Sequence, residues 1–352
     1  MKPERDPEHP VTRALSDCLR EWATPGEGLL IAVSGGIDSL VLLDAAVTLS
    51  SEDRRRVAAA HLNHNLRGSA SAADAELVRR TASGLGVELF EECLPAGLLE
   101  AGSSGSLEES ARSARMSFLI RTAEREGFGL VLTAHHAGDQ AETVLHNILR
   151  GTGLKGLRGI PVRRELAAAI RLLRPLLGVS RRSIEEYGER RRIDFAVDQT
   201  NSDIRYTRNR IRHELLPQLR QQFNPALDEA LRRLAEQSGE LLEIVDSLAD
   251  ELLERAVLQE DAQSCRLDAG ILAAASEAIV RHAFVRLWDR RGWRRQHVGA
   301  AHWHRAAAAV RIPGTQDFPG GIRLESTGRL LRIMVVQPQV KPAGREGMAD
   351  GG

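Results

Sequence analysis

The six residues Ser34-Gly35-Gly36-Ile37-Asp38-Ser39 restrict what this chain can fold into more than any other stretch of it. They lie directly after the apolar run Leu29-Leu30-Ile31-Ala32-Val33 and directly before Leu40-Val41-Leu42-Leu43. A short apolar run, a glycine turn carrying two hydroxyls and an acid, and then a helical pattern form a strand–loop–helix unit. Such a loop exposes backbone N–H groups at a helix N-terminus, where hydrogen bonding and the helix dipole both favour an anion. Gly35 and Gly36 let the main chain approach a phosphate closely, because no Cβ intervenes. Asp38 is the odd member: a carboxylate beside a phosphate repels it unless a cation bridges the two. Mg2+ fits, since it shares carboxylate and phosphate oxygens. The loop therefore reads as a seat for a magnesium-bound pyrophosphate.

Strands and helices alternate around this unit. Val11 to Ala23 predicts a helix ended by Thr24-Pro25-Gly26, Arg56 to Leu62 a strand, and Ala70 to Ser83 a helix stopped by Gly84 and Gly86. Val87 to Leu94 predicts a strand, Leu107 to Glu126 a helix with Ser106 and Glu109 spaced as a capping box, and Phe128 to Ala134 a strand. A helix follows from about Asp139 to Leu149, and another from the cap Ser180 through Arg192. This alternation implies an α/β fold, a doubly wound, mostly parallel sheet that binds ligands at the carboxyl ends of its strands. The loop at Ser34, the segment His61-Leu62-Asn63-His64 and the segment His135-His136-Ala137-Gly138-Asp139 all fall at such ends. After Gln222-Phe223-Asn224-Pro225 comes a long amphipathic stretch, Ala226 to Leu258. The expected organisation is a catalytic domain over 1–222, a smaller, mainly helical domain over 223–337, and a disordered tail over 338–352.

A length of 352 residues with 42% hydrophobic content supports two cores. No apolar run approaches the ~20 residues a membrane helix needs. The charged, proline-containing start Met1 to Pro10 is unlike a signal peptide, so the expected location is cytoplasmic. Cys18, Cys93 and Cys265 are isolated, which argues against a disulfide framework, a zinc ribbon or a cysteine-bound cluster. A net charge of zero conceals segregation. Residues 150–220 hold 17 Lys or Arg against 8 Asp or Glu, residues 226–262 hold 3 against 11, and residues 281–311 hold 8 Arg against Asp289 alone. Trp288, Trp293, Trp303 and four histidines are interleaved in the last block. Cations with aromatics suit a nucleic-acid surface, and the alternative is that these blocks neutralise the acidic one inside the fold.

A second constellation lies at His135 to Thr143. Asp139 and Glu142 stand three residues apart at a helix start, so both carboxylates face the same way. They can bind a metal or a substrate ammonium, or simply cap the helix. His135 reads as a metal ligand or a proton carrier.

The hexapeptide resembles the signature of the PP-loop ATPases, which cleave ATP to AMP and pyrophosphate, and it lacks the Gly-Lys-Ser/Thr of a kinase-type phosphate loop. Four stretches together resemble the tRNA(Ile)-lysidine synthetase family across nearly the whole chain. They are the loop itself, His61 to Gly68, His135 through Leu154, and Asp198-Gln199-Thr200-Asn201 followed by Tyr206 to Arg212. The last stretch separates this family from other PP-loop enzymes. Gly138 stands where the family often has an acid, and Met116 where an aromatic is common.

The resemblance implies ATP, L-lysine and a tRNA(Ile) with a CAU anticodon as substrates, with Mg2+ as cofactor. Ser34, Gly35, Gly36, Ile37, Asp38 and Ser39 would then bind the ATP phosphates, with Asp38 and Asp139 at the metal and His135 near it. Glu142 is assigned to the lysine ammonium, Arg212 to its carboxylate and Asp139 to the amine proton. Arg208, Asn209 and Arg210 read equally as a helix start or a tRNA contact. A homodimer is compatible with this reading. The rivals are another PP-loop enzyme, such as a tRNA thiolase or a small-molecule amidating ligase, and a non-catalytic RNA-binding protein.

Overall fold

The computed structural model describes residues 6–66, 68–98, 107–196 and 207–336. Arg67, the loop with Gly102 and the Ser106 cap, Asp198 to Tyr206 and the tail from 338 lie outside them. The chain divides into two compact units, Met1–Gly239 and Glu240–Gly352.

In the first unit the order is α1 (Pro10–Trp22), β1 (Leu29–Ala32), α2 (Ile37–Asp53), β2 (Val57–Asn63), α3 (Ser69–Leu85), β3 (Glu88–Cys93), α4 (Leu107–Glu126), β4 (Leu130–Leu132) and α5 (Ala137–Leu149). There follow α6 (Leu154–Leu157), β5 (Arg163–Ala167), β6 (Ile170–Leu173), a 3₁₀ turn at Pro175–Gly178, and α7 (Arg181–Arg191). The unit continues with α8 (Thr207–Arg210), a π turn at Ile211–Leu215 and α9 (Leu216–Gln222). The sheet order is β3-β2-β1-β4-β6-β5, parallel throughout except for the edge strand β5.

β1 and β4 are apolar at every position because both of their faces are covered. Leu29, Ile31, Leu130 and Leu132 point into a core shared with α1, α2 and α7, while Leu30 and Val131 point into a second core with Phe118 and Leu119 of α4. The chain runs outward from β1 through β2 to β3, then returns to β4 on the other side of β1. That reversal opens a crevice at the carboxyl ends of β1 and β4. The hairpin of β5 and β6 was absent from the sequence reading, because Arg163-Arg164-Glu165 on the exposed edge breaks any apolar pattern.

The long helix α10 (Leu227–Ala256) passes through the division at Gly239. Its early residues Leu231 and Ala235 pack with Ala141, Val144, Ile211 and Leu216 of the first unit. The second unit adds β7 (Val257–Glu260), β8 (Ser264–Asp268), α11 (Ala269–Ala273), α12 (Glu277–Arg290), α13 (Ala300–Ala308), β9 (Gly314–Phe318), β10 (Ile322–Ser326) and β11 (Leu330–Val335). The helices expected there are joined by a five-stranded antiparallel sheet, β7-β8-β11-β10-β9, which the sequence reading did not include. Ile322, Leu324, Leu331, Ile333, Cys265 and Leu267 alternate inward from it onto α12 and α13.

Candidate active site

The phosphate loop is braced from within. Gly35 takes φ +90°, a conformation that L side chains rarely adopt. Ser39 Oγ accepts from the Ser34 N–H (3.1 Å), donates to the Gly36 carbonyl (2.9 Å) and lies 3.3 Å from Ser34 Oγ. Ser39 therefore shapes the turn, and the Ile37 side chain is in the core, leaving only its main chain toward a ligand. The N-cap Gly36 offers no side chain to the first amides of α2. Uncapped amides at a helix start are the donors an anion uses.

Three helices begin around this point, after the adjacent strands β1, β4 and β6. The Ala137 N–H at the start of α5 donates to the Val179 carbonyl just before α7 (3.0 Å), and Arg181 at the head of α7 reaches Asp38 on α2. The Arg181 Nη1 lies 2.6 Å from each Asp38 carboxylate oxygen. Beyond α7, the Ala196 N–H donates to the Gly35 carbonyl (3.0 Å). Sequence reading missed Arg181, since Arg181-Arg182 after a helix cap looks like an ordinary surface turn.

At the head of α5, His136 caps Gly138 through Nδ1 (3.0 Å), and Asp139 accepts the His136 N–H (3.0 Å). The His136 ring lies over Gly138 so closely that a Cβ there would come within 2.7 Å of it, so an acid at 138 would need this ring to move. Arg212 spans both acids: Nη2 lies 3.1 Å from Asp139 and 2.8 Å from Glu142, and Nε also donates to Glu142. Arg208 adds a second cation 3.6 Å from Glu142. Burial alone would raise the Asp139 pKa, but His136, its amide, His135 and Arg212 outweigh burial and hold it below the usual carboxylate range. The assigned lysine partners Glu142 and Arg212 are thus joined in one ion pair, and do not stand apart as the two jaws of a clamp.

His135 hydrogen-bonds Thr133 Oγ1 through Nδ1 (3.0 Å). Burial, with Arg174 nearby, pushes its pKa down to about 3, so at neutral pH it is an uncharged ring and a weak base. That favours a ligand or hydrogen-bonding role over a proton carrier. His61 donates through Nδ1 to the Val33 carbonyl (2.8 Å), fixing the chain just before the loop, and its buried Nε2 has no partner among the described residues. Arg174 at the end of β6 is buried and holds the Pro161 carbonyl (2.7 Å). Burial and the neighbouring Arg112 lower its pKa to about 10. Met116 packs at the margin of the α4 core.

In the second unit the interleaved tryptophans are structural. Trp288 is fully buried, with the rings of Trp293, Trp303 and Phe318 at 4.9, 5.3 and 5.6 Å. Part of the basic block answers the acidic one: Asp246 pairs with His282 (2.6 Å) and Arg286 (3.5 Å), and Asp250 with Arg286 (2.5 Å) and Arg290 (3.0 Å), while Arg295 pairs within its own block with Asp289 (2.8 Å). Arg294 and Arg305 remain exposed.

A mostly parallel sheet with an uncapped Ser-Gly-Gly helix start at its switch point defines a nucleotide-phosphate-binding α/β domain. Residues 7–219 match the PP-loop domain family. The chain is 38% identical over 229 residues to the tRNA(Ile)-lysidine synthase of Chlorobaculum tepidum, covering 65% of this chain and 68% of that one. It is 35% identical over 343 residues to that of Symbiobacterium thermophilum, covering 93% and 70%. Across such relatives the match spans from 51% to 87% of the relative's length. A U34-tRNA thiolase from Methanococcus maripaludis shares the fold, with a TM-score of 0.54 at 16% identity over 64% of this chain and 77% of that one. The chain belongs to the tRNA(Ile)-lysidine synthase family of PP-loop proteins.

Proposed function

We propose that this protein joins L-lysine to the wobble cytidine of a tRNA(Ile) bearing a CAU anticodon, with ATP as the activating substrate. The observation that carries this reading is the meeting of the phosphate loop with Asp139, Glu142 and Arg212 at the heads of α2 and α5. In the first step the ring carbonyl oxygen of cytidine attacks the α-phosphorus and pyrophosphate leaves toward the loop amides. In the second, the neutral lysine ε-amine attacks the adenylated carbon and AMP leaves, giving lysidine. Charge builds on each leaving group, and fixed N–H donors stabilise it without reorganising.

Among the described residues no group of three or more His, Cys, Asp or Glu side chains is arranged to hold a metal. A Mg2+ that takes one or two carboxylates plus phosphate oxygens and water needs no such group. Asp38 and Asp139 supply that donor set: Arg212 interacts electrostatically with both, so one cation can serve the two carboxylates, and Arg181 and Arg212 balance their charge until a metal takes their place. Bound there, the metal would neutralise the departing pyrophosphate. Asp139 is our candidate for the acceptor of the amine proton, a weakly basic carboxylate that would need the ammonium's own acidity, raised as the amine attacks, to take it. For lysine to engage Glu142, Arg212 must release it, so the arginine is free to meet the lysine carboxylate only once the ammonium replaces it. Residues 1–222 are proposed as the catalytic domain and 223–337 as the tRNA-binding domain of a cytoplasmic enzyme. No helix among the described residues is long and apolar enough to cross a membrane.

Incubation with radiolabelled lysine, ATP and total tRNA tests this. Label entering tRNA in an ATP-dependent manner supports it. No incorporation, with modification appearing only when a sulfur donor is added, would move the assignment to a thiolase.

A further inference from the structure

We propose that Arg181 is a built-in counter-cation for Asp38 which a divalent metal must displace, so that this arginine sets the affinity of the phosphate loop for metal. The inference rests on the reading of Asp38 as a metal carboxylate.

Three observations carry it. The guanidinium contacts both carboxylate oxygens of Asp38 at 2.6 Å through one nitrogen, Nη1, so positive charge already occupies both oxygens that a metal ion could use. Its Nε meanwhile holds Glu185 at 2.8 Å, one turn further along α7, so Arg181 keeps a partner when it gives up Asp38. The exchange therefore strands no charge.

The presentation of Arg181 is also stiff. Asp44 of α2, which is buried, accepts from Tyr187 (2.9 Å) and from Arg191 (2.8 Å) of α7. Gly188 lies so close to Ile37 that an added Cβ would come within 3.0 Å of it. Ser180 caps the head of α7 by accepting the Ser183 N–H (3.1 Å). With α7 fastened to α2 in this way, the Arg181 stem starts from a fixed point beside the loop. A mobile surface arginine would spend its time in water; this one is aimed.

The consequence is selectivity for metal that arrives with a polyphosphate. Free metal must compete with the guanidinium for Asp38 alone. Metal carried on a nucleotide gains the loop amides as well, and the displaced guanidinium remains beside the incoming phosphates.

The test is titration of the full chain with Mn2+ in the absence of nucleotide, followed by electron paramagnetic resonance. The variants are Arg181→Met, Glu185→Gln, Asp38→Asn, and Arg181→Met combined with Asp38→Asn. Arg181→Met should bind Mn2+ about two- to fivefold more tightly, the range expected for removing a partly exposed ion pair. Glu185→Gln should weaken binding, because Arg181 then has only Asp38, and Asp38→Asn should cancel the gain in the double variant. If Asp38→Asn loses Mn2+ while Arg181→Met gains none, Asp38 is a metal ligand and the counter-cation role is wrong. If Asp38→Asn binds Mn2+ like the wild type, the metal reading of Asp38 fails, and this inference fails with it. Binding weakened in Arg181→Met would make the arginine a support of the site and overturn its role as competitor.

Discussion

Glu142, assigned from the sequence to a lysine ammonium, already has its charge met within the fold. It is buried, and its charge is met twice, by Arg212 and Arg208. Glu142→Gln should therefore cost stability, on the order of 2–4 kcal/mol, because Arg212 is left partly buried without its main partner. Denaturant unfolding checks this, and adding Arg212→Gln should recover part of the loss. In single-turnover assays, Glu142→Gln should slow lysine transfer far more than cytidine adenylation; equal losses in both steps would assign Glu142 to the metal site. His64 gives a pH prediction. Burial, together with Arg115 and His61, pushes its pKa down to about 4. Below pH 6.5 the unfolded chain takes up a proton that the folded chain refuses, so this contribution is full above pH 6.5 and lost as pH falls toward 4. His64→Gln should flatten that part of the stability profile by on the order of 1–3 kcal/mol. An unchanged profile would mean His64 titrates normally.

At the scale of elements, the head of α2 and the pair α10–α12 do different work. Asp38→Asn at the head of α2 should abolish pyrophosphate exchange while the circular dichroism spectrum stays native, since the loop is braced by Ser39 and Gly35 and not by Asp38. Near-normal exchange would remove magnesium from Asp38. On α12, His282, Arg286 and Arg290 recur every four residues and meet Asp246 and Asp250, also four apart, on α10. Reversing Arg286 should destabilise the second unit. Reversing the exposed Arg294 should instead leave stability unchanged and weaken tRNA binding, reducing the slope of log affinity against log salt by about 1. If Arg294→Glu binds tRNA like the wild type at all salt concentrations, this segment is not part of the RNA surface.

At the scale of the whole molecule, two separate cores predict unequal responses to ligand. If ATP with Mg2+ binds the folded first unit, then at one hundred times its Kd it should stabilise that unit by about 2.7 kcal/mol. Hydrogen exchange should then slow in β1, β4 and α5, while β8 and β10 keep their rates. Protection rising equally in both units would show that they unfold as one.

The sequence by itself determined the phosphate loop, the parallel sheet and the pairing of Asp139 with Glu142 on one helix face. These follow from neighbours in the chain: a glycine turn, apolar runs on strands, and helical spacing. α4 runs from Leu107 to Glu126 as its pattern predicts. Tertiary structure alone decided what each charge meets. Arg181 and Asp38 are 143 residues apart, and Arg212 and Glu142 are 70 apart. Nothing local announces such pairs: the first exists because the sheet order starts α2, α5 and α7 at one point, the second because Ile211, beside Arg212, packs against Ala141 and Val144 of α5. The same holds for Trp288, whose ring reads as a base-stacking surface in the sequence and is a core residue in the fold. An aromatic among arginines suits either place, and the packing of Trp293, Trp303 and Phe318 around the ring removes it from water.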